Sequence, residues 1–137
     1  MIIAMHGGNE RYLIEKISAW ALALSWVVVI FLLSAMPGNP QHVPSMNYFM
    51  LRKGAHILEY AALSFFLVRA LFFSNFRFAE LWGVLLALLF AFSDELHQRY
   101  VPFREGKIPD VLFDVGGIGL GIFFFSVYCI LKERQKF

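Results

Sequence analysis

The sequence predicts an all-α, polytopic integral membrane protein with four transmembrane helices in a small bundle. Composition is the first reason: of 137 residues, 59% are hydrophobic and 18% aromatic. The second is the scarcity of charge, 16% here against roughly 25% in soluble domains. The third is placement, because the charges gather at the ends of long apolar runs. A formal net charge of +2, spread over helix ends rather than gathered in a patch, argues against a nucleic-acid partner. Cys129 is the one cysteine, so an intrachain disulfide is impossible. Residues 1–137 read as a single membrane domain.

The first span is expected over residues 17–36, twenty positions without a charge, enough to cross about 30 Å of hydrocarbon as a helix. Its run is longer than a signal-peptide core of about 7–15 residues, and Glu10 and Glu15 soften the basic flank, which favours a retained span. Pro37, Gly38 and Pro40 end it. The second span, residues 54–73, carries His56, Glu59 and Arg69. The third apolar run is short, thirteen uncharged residues over 81–93, or roughly 20 Å of helix. To cross, this span must continue to about residue 100, through Asp94, Glu95, His97 and Gln98. The fourth is expected over residues 108–131, with Pro109 suited to a first helical turn and Asp110 favoured at the positive N-terminal end.

Four antiparallel spans bring the start of the second, the end of the third and the start of the fourth to one membrane face. Lys53, His56 and Glu59 come from the first of these, Asp94, Glu95, His97 and Gln98 from the next, and Asp110 and Asp114 from the last. Helical spacing puts His56, Glu59 and Tyr60 on one face. Asp94, His97 and Gln98 share another, with Glu95 turned away by about 100°. The Asp110–Asp114 stripe runs on through Gly117 and Gly121, a Gly-x-x-x-Gly spacing that lets helix backbones approach closely in a membrane. Seven Lys and Arg lie toward the side holding both termini and five toward the other, which favours cytoplasmic termini and an outward-facing polar cluster. His6 and His42 fall in flanking segments and read as solvated.

Charges at bilayer depth are costly unless paired or hydrated. Interhelical polar contacts return only roughly 0.6 kcal/mol each, so this many carboxylates and imidazoles exceed what helix adhesion needs. The cluster is therefore expected to be a site. Three readings stay open: acid–base catalysis, a head-group cleft without chemistry, and a purely structural network. Candidate catalytic residues are His56, Glu59, Asp94, Glu95, His97, Asp110 and Asp114, with His56 or His97 as proton carrier. Candidate substrate-binding residues are Lys53, Tyr60, Gln98, Arg99, Arg104 and Lys107, where Lys53, Arg99 and Arg104 suit a lipid phosphate. His56, Glu59, Asp94, His97 and Asp110 are competent metal ligands, yet their spacings match no zinc motif, and whether a metal binds stays open. No organic cofactor is indicated. Ser93 lacks the Gly-x-Ser-x-Gly elbow of a serine nucleophile. A small transporter would need ionisable groups deeper in the bilayer, and residues 60–68 and 115–131 carry no charge.

Several of these residues form a pattern. Asp94-Glu95-x-His97-Gln98-x-x-Val101-Pro102-x-Arg104, then Asp110, Asp114, Gly117 and Gly121, resembles the VanZ-like family of bacterial membrane proteins. Lys53-x-x-His56-x-x-Glu59-Tyr60-x-x-Leu63 is similar to that family's second-span pattern, and Ser34 and Pro37 to its first. The resemblance covers about residues 25–125. Phe103 departs from it, standing where the family commonly has glycine, and so does Lys107, where many members carry a small or hydroxyl residue. The resemblance implies a multi-pass protein of the bacterial cytoplasmic membrane with a cell-envelope role, since the name-giving member is associated with resistance to the glycopeptide teicoplanin. The implied partner is a membrane lipid, a lipid-linked envelope component or a lipoglycopeptide.

Overall fold

The computed structural model describes residues 3–38, 46–104 and 106–134. Four α-helices form a small bundle: α1 (Ile3–Ser34), α2 (Met46–Phe73), α3 (Ala79–Gln98) and α4 (Val111–Arg134), the last entered through a 3₁₀ turn at Ile108–Asp110. Pro40 and His42 lie outside the described residues, as does the side chain of His6.

Two helices begin earlier than their apolar runs. Helix α1, 32 residues long, extends about 48 Å, well beyond a bilayer core, and no proline interrupts its polar N-terminal part. At that end Lys132 of α4 donates to Glu15 at 3.1 Å, and Asn75 of the α2–α3 turn donates to Tyr12 at 2.8 Å. The early start of α2 takes Arg52 and Lys53 into a helix, and Lys53 is nevertheless buried. Asp110 neutralises it at 2.5 Å, and the rings of Phe49 and Phe113 lie 5.7 and 5.2 Å from its ammonium.

The expectation of four spans needs correction. Three helical stretches are long and apolar enough to cross a membrane: Glu10–Ser34, Met46–Phe73 and Val111–Lys132. Helix α3 is not among them, because its apolar run stops at Ser93 and its last turns carry Asp94, Glu95, His97 and Gln98. Three of those four side chains turn inward, where Asp94, Glu95 and Gln98 are buried.

The bundle is polar inside at one end and apolar outside. Glu95, Gln98 and Asp114 are 2%, 1% and 0% exposed, whereas Leu58 and Leu112 are 70% and 73% exposed. That inversion suits lipid as the outer solvent. Without much hydrophobic drive between helices in lipid, close backbone packing matters more. The α2–α4 pair shows it. A Cβ on Gly117 would collide with the Ile57 carbonyl, and one on Gly121 with the Ala61 carbonyl and the Ser64 hydroxyl. Ser64 in turn donates to the Ile118 carbonyl at 3.2 Å. On the other side of α2, Trp26 of α1 donates to the Glu59 carbonyl at 2.9 Å, and Gly83 lets α3 approach Val68.

The α3–α4 connection is a folded turn. Phe103 holds a left-handed backbone, φ 59°, which costs a non-glycine residue about 1–2 kcal/mol. Phe103 thus adopts a conformation that a glycine takes without steric cost. What sustains it is contact with the α1 end. Gly38 donates to the Pro102 carbonyl at 3.0 Å, and a Cβ on Gly38 would meet the Phe103 carbonyl. Arg104 donates from Nε to Met36 and from Nη2 to Leu33, both at 2.9 Å. Those acceptors include carbonyls that the end of α1 leaves without a helical partner, and a cation there also opposes the helix dipole.

Candidate functional site

Two of the cavities at the polar end of the bundle share a wall. One, the polar cleft, is a cleft of about 390 Å³, rich in charged side chains, between the end of α1, the first half of α2, the end of α3 and the Arg104 turn. Arg52, His56, Glu59, Asp94 and Arg104 bring ionisable groups to its lining, which Leu33, Met36, Tyr48 and Leu51 also share. The other is a mainly apolar chamber of about 200 Å³ between α1, α2 and α3, lined by Val27, Ile30, Phe31, Tyr60, Leu63 and Phe90 together with Ser93, Asp94 and His97. Asp94 lines both.

Helical phase explains this division. On α3, Asp94, His97 and Gln98 lie within one turn of the same face and look toward α1 and α2. Gln98 donates to Asp94 at 2.8 Å and accepts from Arg52 at 3.0 Å, so an Arg52–Gln98–Asp94 chain ties α2 to α3 across the cleft. His97 packs against Phe31 of α1, ring centroids 5.0 Å apart and planes tilted by 32°, and its buried Nε2 has no hydrogen-bond partner among the described residues. The Tyr60 hydroxyl, also in the chamber wall, is likewise buried and without a partner there.

Glu95, a quarter turn round, takes the other direction. Its Oε2 accepts the Lys107 backbone N–H at 2.9 Å, closing the turn that leads to α4. There it joins His56 and Asp114, each of the three offering one ligand-type atom within 4.8 Å of the others. His56 Nδ1 lies 3.0 Å from Asp114 Oδ1. Three elements thus deliver one buried group each, and α4 can bring Asp114 so close because Gly117, one turn on, rests on α2.

The remaining candidates sit around this core. Lys53 and Asp110 pair with each other beside it. Arg99 is exposed and donates to the Gly106 carbonyl at 3.3 Å, away from the cleft. Lys107 contributes its backbone N–H, and its side chain is exposed. Arg104 reaches the cleft while two of its N–H groups serve α1. Of the three cations assigned to a phosphate, only Arg104 lines the cleft. Arg52 is the cation that sequence reasoning missed, although it stands four residues before His56 and seven before Glu59, on their face. Ser34, buried with a hydroxyl that has no partner among the described residues, is the other omission from the candidate set.

No curated protein and no solved structure matches the chain. The family model described as VanZ/LLP1 matches residues 19–131, which takes in α2, α3, the turn, nearly all of α4 and the apolar part of α1. The chain belongs to the VanZ/LLP1 family.

Proposed function

We propose that this membrane protein binds an amphiphilic component of the cell envelope, with the head group in the polar cleft and an apolar chain in the adjoining chamber. The observation that carries the reading is Asp94, common to a compartment lined by Arg52, Glu59 and Arg104 and to one in which it is the one carboxylate among aliphatic and aromatic side chains, between lipid-facing helices. A free ion or small polar solute has no use for the second compartment. The cleft lining is mixed in sign, with Arg52 and Arg104 facing Glu59 and Asp94. Such a lining suits a head group carrying both an anion and a cation, and the planar guanidinium fork suits a phosphate or carboxylate. Membership of a family tied to glycopeptide resistance agrees with an envelope ligand, which includes a lipid or a lipoglycopeptide such as teicoplanin.

A second reading, acid–base action on that ligand, is favoured by one contact. His56 lines the cleft and is oriented from behind by buried Asp114, the arrangement in which a carboxylate fixes an imidazole for proton transfer. For the outward-facing cleft, the supporting argument is the excess of Lys and Arg toward the end holding both termini. Reporter fusions at residue 137 and in the α1–α2 loop test it: a reporter active in the cytoplasm at the loop and not at the terminus reverses the orientation.

Native mass spectrometry of the protein released from its own membranes tests the binding reading. Wild-type protein is expected to carry an amphiphile that Asp94→Asn and Arg52→Gln lose. Equal retention of lipid by all three contradicts it.

A further inference from the structure

We propose that His56, Glu95 and Asp114 form a binding site for a divalent transition-metal ion. This goes beyond the amphiphile reading and does not depend on it.

The geometry comes first. One imidazole and two carboxylates present ligand atoms within 4.8 Å of one another, all three residues being buried. Metal–ligand bonds of about 2.0–2.2 Å place ligand atoms up to roughly 4.4 Å apart, so small side-chain rotations close the set on an ion. An independent observation concerns the oxygens. Asp114 uses Oδ1 toward His56, and Glu95 uses Oε2 for the Lys107 N–H. Asp114 Oδ2 and Glu95 Oε1 are both buried with no hydrogen-bond partner among the described residues. Leaving one such acceptor unmet costs about 1–3 kcal/mol, and more when it is charged. A cation bound by both carboxylates would meet both needs.

Charge agrees with that. Two carboxylates and a neutral imidazole sum to −2, which a divalent ion cancels. Lys53, the nearby ammonium, is already held by Asp110. Among the described residues, no Lys or Arg side chain forms an ion pair with Glu95 or Asp114. The nitrogen donor selects the ion class: imidazole with carboxylates suits Zn²⁺, Mn²⁺ or Fe²⁺ better than an all-oxygen ion such as Ca²⁺. Three protein ligands leave a coordination position open, the pattern of catalytic rather than structural sites. His56 also lines the polar cleft, so the ion would stand in its wall as a Lewis acid.

An ion bonded to His56 takes the ring nitrogen that a proton carrier needs, so the metal and the acid–base reading exclude each other while ligand binding in the cleft survives either way. The test uses full-length protein in nanodiscs, stripped with chelator and titrated with Mn²⁺ and Zn²⁺. Ion content is read by mass spectrometry, and Mn²⁺ also by electron paramagnetic resonance. One ion per chain is expected, with affinity falling at least about 100-fold in Glu95→Gln and Asp114→Asn. Glu15→Gln, at the opposite end of the bundle, should bind as wild type does. His56→Cys, which still offers a ligand, should keep Zn²⁺ and lose Mn²⁺, since thiolate prefers the softer ion. No stoichiometric ion on the wild type overturns the proposal, whatever the variants do. So does unchanged affinity in a folded Glu95→Gln protein.

Discussion

Asp114 holds His56 across 58 positions of sequence, its Oδ1 3.0 Å from the ring Nδ1, and so fastens α4 to α2 at the polar end of the bundle. Asp114 is 0% exposed and His56 is buried, so truncating Asp114 leaves a buried imidazole nitrogen without its partner. Asp114→Ala is expected to destabilise the protein by about 1–3 kcal/mol, and Asp114→Asn, which keeps the volume and one acceptor, by less. Thermal unfolding in one detergent gives the comparison. Wild-type stability in Asp114→Ala would mean that the contact contributes nothing.

Phe103 offers a rarer expectation, a stabilising change at a family-pattern position. Its φ of 59° favours glycine, and its side chain is 68% exposed, so little packing is forfeited by removing it. Phe103→Gly is expected to raise stability by about 1 kcal/mol, the left-handed penalty less the extra freedom of glycine when unfolded. A lower midpoint for Phe103→Gly in the same unfolding assay would show that the ring itself is held by something, such as lipid.

Arg104 serves α1 through a planar group, and lysine cannot reproduce it. Arg104→Lys keeps the charge but loses one of the two donations to Leu33 and Met36. The expected cost is about 1–1.5 kcal/mol, with faster protease cleavage near residues 34–38. Unaltered cleavage there would indicate that the α1 end is held by other contacts.

The glycines of α4 separate packing from composition. Gly117 faces the Ile57 carbonyl, whereas Gly119, two positions on, has open space where a Cβ would go. Gly117→Ala should push α4 from α2 and destabilise by about 1–3 kcal/mol, the range for overpacking. Gly119→Ala should be neutral or stabilising by up to about 1 kcal/mol, from helix propensity. Equal effects at the two positions, read by unfolding, would contradict close packing along the Gly117–Gly121 stripe.

Much of this was legible in the sequence because bilayer physics limits the answers. Apolar runs marked the helices, and the placing of His56, Asp94 and Asp114 at matching ends pointed to one polar end. Helical spacing also marked Gly117 and Gly121 as the approach surface of α4. Less visible was how far the helices outrun their apolar cores. The burial of Lys53 depends on Asp110 and two rings that arrive from sequence-distant or adjacent turns, and no window of hydropathy contains that. The same holds for α3, whose inward-facing acids depress its apolarity below that of a span. Within the site, Glu95 was correctly set apart from Asp94 and His97 by phase. Its destination beside His56 and Asp114 needed the turn geometry around Lys107. The C-capping work of Arg104 was illegible for the same reason, since its acceptors are backbone atoms 68 and 71 positions away.

The central claim is that one ligand occupies a polar cleft and an apolar chamber joined at Asp94. The most direct measurement is binding of water-soluble amphiphiles that share one zwitterionic phosphate head group and differ in chain length, corrected for uptake by protein-free nanodiscs. For wild-type protein, affinity should rise with each added methylene until the chamber of about 200 Å³ is full, by up to about 0.8 kcal/mol per group. Val27→Phe narrows the chamber and should flatten that dependence while leaving the shortest analogue bound as before. Asp94→Asn should weaken every member of the series. Chain-length dependence in Val27→Phe identical to wild type, with binding to Asp94→Asn undiminished, would contradict the account.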